Sequence, residues 1–389
     1  MTRMPQAPAP RDARPAHGIV PPWLLRRIAE AVDHYDVAAD AARRSLVRDR
    51  PVRDLRAEGA APPFVAHEDE RAEWPSLRAS AGVAVEADAE AEAEAEAPGE
   101  VVPDRRISDA EHVETLPGRL VRREGQPETG DRSVDQAYDG LGEVFRLFHR
   151  VYGRDAIDGG GGSLEATVHF GDRYDNAFWD GERMVFGDGD GEVFRGFTHS
   201  LSVVGHELAH GVTEATARLR YRDQSGALNE HVSDVFGALV EQYAMGQDAA
   251  AASWLIGEGV FTELVQGRAL RSMIEPGTAY DDDVLGRDPQ PAHMRDYVRT
   301  DDDSGGVHLN SGIPNRAFAL AATELGGFAW EHLGRVWYDT LTGGMLKPNT
   351  GFDAFVAATL VATRHRFGPT SSEARAVAGG WRAVGLDAE

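Results

Sequence analysis

The sequence predicts an α+β protein in which a β-rich half precedes a helical half. Three observations carry this expectation. Between residues 106 and about 200, short alternating runs such as ATVHFGDRY (166–174) and ERMVFGDGDG (182–191) are punctuated by Gly-Asp pairs, the pattern of strands joined by tight turns. From about residue 201 the pattern changes to Ala-rich helical periodicity, as in SDVFGALVEQYAM (233–245) and FDAFVAATLVATRH (352–365). No segment repeats internally, and no apolar run reaches the roughly 18 residues of a membrane span.

The chain has 389 residues, no cysteine, and 64 acidic against 40 basic side chains, for a formal net charge of −24. Missing thiols exclude a disulfide-stapled module, a Cys-ligated metal site and a thiol nucleophile, and the negative balance argues against a nucleic-acid partner. With 42% hydrophobic residues the chain can build two or more domain cores.

Charge divides the chain into three parts. Residues 1–55 carry ten Arg and seven acids, net +3, residues 56–105 carry four Arg and thirteen acids, net −9, and −18 remains for residues 106–389. In the first part, Leu24, Leu25, Ile28, Val32 and Tyr35 recur at helical spacing after a proline, predicting one amphipathic helix from Pro22 to about Arg50. A helix this short cannot bury its own apolar face, so it must dock on something. The Pro- and Arg-rich start, MTRMPQAPAPRDARPAHGIV, lacks the apolar stretch of a secretory signal. The second part contains EADAEAEAEAEA (86–97), whose charges have nothing to pair with, and reads as a solvated acidic linker. At the far end, Thr370 three residues before Glu373 predicts a capping box on the last helix.

Chemistry concentrates at HELAH (206–210), inside an apolar stretch that begins near Leu201 and should be helical. One helical turn separates His206 from His210, so both imidazoles can close on one metal ion, with Glu207 on the adjacent solvent side. Twenty residues after His210, NEHVSD (229–234) offers Glu230 as an oxygen ligand on a second helix. Asp234, one turn beyond, can accept the free ring N–H of a liganding histidine. Two histidines and a glutamate leave a position open for water, which is a catalytic arrangement of zinc ligands.

These residues, with NAFWDG (176–181), GDGDG (187–191), HELAHGVTE (206–214), SGALNEHVSD (225–234), LRSM (270–273) and GGVHLNSGIPN (305–315), give the chain its resemblance. From about Arg106 to its end it resembles the thermolysin family of zinc metallopeptidases, the gluzincin type. PPWLLRRI (21–28) is similar to the short propeptide motif of the protealysin-like members.

The resemblance implies a thermolysin-like two-domain fold. Residues 1–55 would be a propeptide, 56–105 a linker, 106–212 a β-rich catalytic domain including the HELAH helix, and 213–389 a helical domain, with zinc in the cleft between the last two. It implies a zinc-dependent endopeptidase made as a zymogen, acting on peptides and inhibited by its own propeptide. Zinc lowers the pKa of its bound water from ~15.7 to about 7, and Glu207 would take that proton and pass it to the leaving amine. His308 would stabilise the tetrahedral intermediate as a donor, Asp303 would orient His308, and Tyr221 would share the donation. Asn176 and the backbone of Ala177 would hold an extended substrate at a strand edge, and Arg271 would bind a substrate carbonyl. Phe194, Phe197, Val203, Ile256 and Leu270 would line the pocket for the residue after the cut bond, predicting a bulky hydrophobic residue there. Phe197 stands where a smaller aliphatic is common, which would make that pocket shallower.

The chain departs from the family at its paired calcium site. Ser202, Ser253 and Leu255 stand at ligand positions, and only Glu241 and Glu258 are kept, too few for the six to eight oxygens that calcium takes. Calcium could still bind elsewhere, at Asp281, Asp282 and Asp283 or at Asp301 and Asp302, although each cluster reads first as a solvated turn. The family is mostly secreted, and cytoplasmic retention with non-classical release is the alternative for a chain with no visible signal. A catalytically silent zinc-binding interaction protein is the alternative to a peptidase.

Overall fold

The computed structural model of the protein describes residues 17–57 and 101–386. The acidic run at 86–97 lies outside the described residues. A short strand, β1 (His17–Gly18), opens the amino-terminal segment and is followed by helices α1 (Pro22–Glu30) and α2 (Asp36–Ala57). This corrects the single helix expected from Pro22 to about Arg50. The chain turns at residues 31–35, so Val32 leaves the apolar stripe and is 46% exposed, while Leu24, Leu25 and Ile28 are fully buried. A carboxylate from elsewhere in the chain stabilises the restart. Glu192 Oε2 accepts the N–H groups of Val37 (3.0 Å) and Ala38 (2.9 Å), at the positive end of α2.

Strands β2 (Arg105–Asp109) and β3 (Arg119–Arg123) pair as a hairpin ahead of helix α3 (Arg132–Tyr152). Then β4 (Leu164–Val168), β5 (Ala177–Trp179) and β6 (Met184–Phe186) complete a six-stranded sheet of order β1-β5-β6-β4-β2-β3. β2, β4 and β6 run parallel, so their carboxyl ends lie side by side. β1 pairs antiparallel with β5. Helix α3 is a long helix inside the half read as β-rich. Its buried Val134, Leu141, Val144, Phe145 and Phe148 recur at helical spacing, Asp131 caps it by accepting the N–H groups of Ser133 and Val134, and Gly153 ends it in the left-handed region.

Helices α4 (Leu201–Ala215) and α5 (Asp223–Met245) cross closely, because a Cβ on Gly205 would meet the Gly237 Cα at 3.0 Å. Two small ribbons follow, β7 (Leu255–Ile256) with β8 (Arg271–Ser272), and β9 (Asp281–Asp282) with β10 (Gly286–Arg287). The remaining helices are α6 (Asp303–Asn310), α7 (Gly312–Leu325), α8 (Leu333–Thr342), α9 (Phe352–Phe367) and α10 (Ser372–Ala383). They close on a buried aromatic cluster in which Trp337 and Trp381 stack at 5.9 Å between ring centroids. The cap of α10 falls one residue later than expected. Ser371 Oγ accepts the Ala374 N–H at 3.1 Å, and Glu373 turns instead to Ser372 and His332, so the Thr370 box does not form. Among the described residues, no helix is long and apolar enough to cross a membrane.

Candidate metal centre and catalytic cleft

Helical spacing on α4 sets His206 and His210 face to edge, with their Nε2 atoms 3.0 Å apart. From α5, Glu230 brings Oε2 to 3.6 Å from His206 Nε2 and Oε1 to 3.5 Å from His210 Nε2. All three side chains are buried. Zinc bonds of 2.0–2.1 Å in a tetrahedron separate neighbouring ligand atoms by about 3.3 Å, so this triangle is of the right size.

The outer nitrogens fix the rings. His206 Nδ1 lies 2.8 Å from Asp234 Oδ1, and His210 Nδ1 lies 2.8 Å from Asn229 Oδ1 and 3.0 Å from Ser233 Oγ. Each Nδ1–H therefore has an outer acceptor, and each Nε2 lone pair faces inward. Glu230 Oε2 is buried without a hydrogen bond, which a cation between the three groups would relieve. These residues fit a zinc ion.

Asp234 is itself held from several sides. Arg271, on β8, donates Nε–H to Oδ2 at 3.0 Å and Nη2–H to Oδ1 at 2.8 Å, and Asn315 donates to Oδ2 at 2.8 Å. Burial pushes the Asp234 carboxyl up, but the Arg271 guanidinium and His206 outweigh it and hold the group far below the usual carboxylate range. His231, the histidine inside NEHVSD, turns to the core instead. It contacts Asn315 at 2.8 Å and accepts the Trp337 indole N–H at 2.7 Å, and burial first of all lowers it to about 4, so it is neutral.

Glu207 is buried, not on the solvent side of α4 as expected, in a cleft where the amino-terminal segment also reaches His308 and Arg271. On the other wall, the first four residues of α6, Asp303 to Gly306, are left-handed, so its regular turns begin only after them. At Gly305 a Cβ would meet Asp223 at 2.2 Å, so only glycine fits that turn. The turn folds Asp303 back onto His308, where Oδ2 accepts the backbone N–H at 2.9 Å and Oδ1 faces ring Nδ1 at 2.7 Å. Burial lowers His308, yet Asp303 and Glu230 more than offset it and raise the imidazole above its ordinary value. Tyr221 Oη donates to Glu230 Oε1 at 2.5 Å and lies 3.1 Å from His308 Nε2.

The amino-terminal segment runs along this wall. His17 pairs with Trp179 and Gly18 with Phe178 on β5, and the Ile19 N–H donates to the Ala177 carbonyl at 3.0 Å. Asn176 Oδ1 accepts the Val20 N–H at 2.9 Å. His308 Nε2–H donates to the Gly18 carbonyl at 3.0 Å, and Arg271 Nη1–H donates to the Ile19 carbonyl at 2.9 Å. From α2, Asp49 accepts from Tyr174 and from Asn176 Nδ2. Phe194, Phe197, Val203, Ile256 and Leu270 are all buried, in the same continuous apolar cluster as Ile19.

The comparisons with known proteins match this architecture. The family model for the thermolysin metallopeptidase catalytic domain matches residues 106–214, and that for the thermolysin metallopeptidase alpha-helical domain matches residues 217–386. An extracellular metalloprotease of Pectobacterium carotovorum subsp. carotovorum is 52% identical over 284 residues, 73% of this chain and 81% of that protein. The chain belongs to the thermolysin family of metallopeptidases. A second relative, the protease PrtS of a Photorhabdus strain, is 48% identical over 292 residues, covering 74% of this chain and 78% of its own. Among solved structures, the precursor of protealysin, a metalloproteinase from Serratia proteamaculans, superposes with a TM-score of 0.79 at 44% identity, covering 95% of this chain and all of that one. Membership makes the chain a metalloendopeptidase and implies zinc at His206, His210 and Glu230.

Several residues of the cleft went unread in the sequence. Asn229 and Ser233 orient His210 from the same motif that supplies Glu230, and their helical offsets from Glu230 were the available signal. Asn315, within the quoted GGVHLNSGIPN motif, ties Asp234 to His231 from α7. Gly18 and Ile19 carry no side-chain signal at all, because they act through their carbonyls.

Proposed function

We propose that the protein is a zinc endopeptidase made as a zymogen, in which residues 17–57 occupy the cleft that a peptide substrate would enter. The carrying observation is the backbone of His17 to Val20. It adds as an antiparallel strand to β5 and offers the Gly18 carbonyl to His308 and the Ile19 carbonyl to Arg271. A substrate bound in the same register would have its scissile carbonyl where Gly18 now sits and its next residue where Ile19 is buried. Ile19 is fully buried, which supports cleavage before bulky hydrophobic residues, and the five residues proposed to line that pocket, Phe194, Phe197, Val203, Ile256 and Leu270, belong to the same apolar core.

When bound, zinc supplies Lewis-acid activation of a water to a pKa of about 7 and polarises the carbonyl. Glu207 acts as the general base and returns the proton to the leaving amine. His308, held by Asp303 and raised toward its charged form, donates to the developing oxyanion, and Tyr221 shares that donation. Asn176 and the Ala177 backbone hold the substrate extended, and Arg271 fixes the carbonyl beyond the bond that breaks.

Charge supports the docking of the segment. Arg26 faces Asp302 at 3.7 Å and Arg44 faces Asp172 at 3.5 Å across its boundary with the body. The match to the protealysin precursor covers 95% of this chain, which supports a propeptide role for the segment. The relatives' description as extracellular proteases supports action outside the cell. Burial first, then the Glu258 charge, raises the Glu241 carboxyl, and Ser202 donates to it; two carboxylates are too few for the oxygens of a calcium pair.

Amino-terminal sequencing of active enzyme, with casein hydrolysis by full-length and processed forms, tests the reading. Active enzyme should begin after residue 57, and adding purified residues 1–57 should inhibit it. Full activity of chains still carrying residues 17–20 would overturn it.

A further inference from the structure

We propose that the chain holds a second divalent metal ion, of the zinc class, at His112, His169 and Asp188, a site that shares no residue with the catalytic centre. The sheet topology creates it. β2, β4 and β6 are parallel, and His112, His169 and Asp188 lie one to three residues past their carboxyl ends.

The ligand atoms converge. His169 Nδ1 lies 2.9 Å from both oxygens of Asp188, His112 Nδ1 lies 3.4 Å from Asp188 Oδ2, and the three candidate ligand atoms are all within 4.8 Å of one another. Tetrahedral zinc needs edges of about 3.3 Å, so the His112 edge already matches, and the His169 edge would open by about 0.4 Å. The Asp188 side chain is 27% exposed and can shift by that amount.

A second carboxylate stands behind the site. Asp131 Oδ2 lies 3.0 Å from His169 Nε2, while its Oδ1 is committed to capping α3. With a metal on Nδ1 in place of the proton now shared with Asp188, the Nε2–H on Asp131 would complete the carboxylate–histidine–metal relay that orients metal-bound histidines. The backbone contributes as well. Glu111, His112 and His169 adopt left-handed conformations unusual for their side chains, and the His112 N–H donates to the His169 carbonyl at 2.9 Å. Two loops are thereby locked together with both imidazoles on one carboxylate. Two imidazoles and one carboxylate select zinc, nickel or cobalt over calcium or magnesium, which need more oxygens. An ion there would tie the ends of three central strands.

The test uses the full-length chain carrying Glu207→Gln, so that self-digestion does not intervene, loaded with zinc at its catalytic centre and freed of excess metal. Calorimetric titration with Zn2+ should then show a further equivalent, accompanied by a rise in thermal midpoint. His112→Ala in the same background should weaken that equivalent at least 10-fold to about 100-fold, the loss typical of even an outer partner, and leave the catalytic zinc in place. Because the His112 side chain is exposed, this variant keeps the fold, which circular dichroism verifies. Absence of a further equivalent, or one that persists unchanged in His112→Ala, would overturn the proposal.

Discussion

The Nε2 atom of His308 lies 3.0 Å from the carbonyl oxygen of Gly18, 290 residues earlier in the chain. The donor proposed for the oxyanion of a substrate is thus engaged by a peptide carbonyl of the same polypeptide. Around that contact, a Cβ at residue 18 would fall 2.3 Å from Asn176 Nδ2, and the Asn176 amide is pinned by Asp49, Val20 and Ala177. Gly18→Val should therefore dislodge the segment. In a Glu207→Gln background, trypsin should cut at Arg26 and Arg27 several-fold faster than in the parent, and equal rates would contradict the account.

Asp234 joins His206 to Arg271, with both partners fully buried. Asp234→Asn should leave the Arg271 charge without its counter-ion, destabilising the fold by about 3–5 kcal/mol. Zinc affinity should fall about 10-fold to 100-fold as His206 loses its carboxylate partner. Denaturant unfolding and chelator competition measure the two effects.

His308→Gln should lower kcat of the processed enzyme about 100-fold to 1,000-fold, the loss typical of one oxyanion donor, without changing zinc content. A kcat within a few-fold of the parent would remove His308 from the mechanism.

Asp175 supplies a pH prediction away from the metal. Its carboxyl is buried beside that of Asp190. Burial first, then the Asp190 charge, holds it well above the ordinary carboxylate value. The folded chain therefore keeps a proton that the unfolded chain releases near its usual pKa of about 3.9. This contribution to stability is fully present below the unfolded pKa and is lost as pH rises through the folded one. Asp175→Asn, which keeps a hydrogen toward Asp190, should match the parent in thermal midpoint near pH 4 and exceed it at pH 8. Identical midpoints across that range would show that Asp175 carries its charge in the fold without penalty.

Motifs legible as local spacing proved the most readable part of the molecule. HELAH and Glu230 sit on helices whose periodicity is visible in the sequence, and their geometry follows from helical offsets. Helix α3 was equally periodic but stood among Gly-Asp turns that drew attention to strands, although Asp131 and Gly153 marked both its ends. The break at residues 31–35 was not readable locally, because Glu192, far away in the chain, supports the restart of α2. Gly18 and Ile19 engage the cleft by backbone atoms, which no side-chain pattern announces. The cluster of His112, His169 and Asp188 depends on the parallel order of three strands, a long-range property that spacing along the chain does not encode.

In the proposed mechanism, Glu207 performs the proton transfer beside a zinc ion held by His206, His210 and Glu230. Zinc content and peptide hydrolysis of processed enzyme with and without Glu207→Gln test it most directly. Zinc content should be unchanged and turnover reduced about 100-fold to 10,000-fold, the range for loss of a general base. Turnover that survives the substitution, or zinc that leaves with it, would contradict the account.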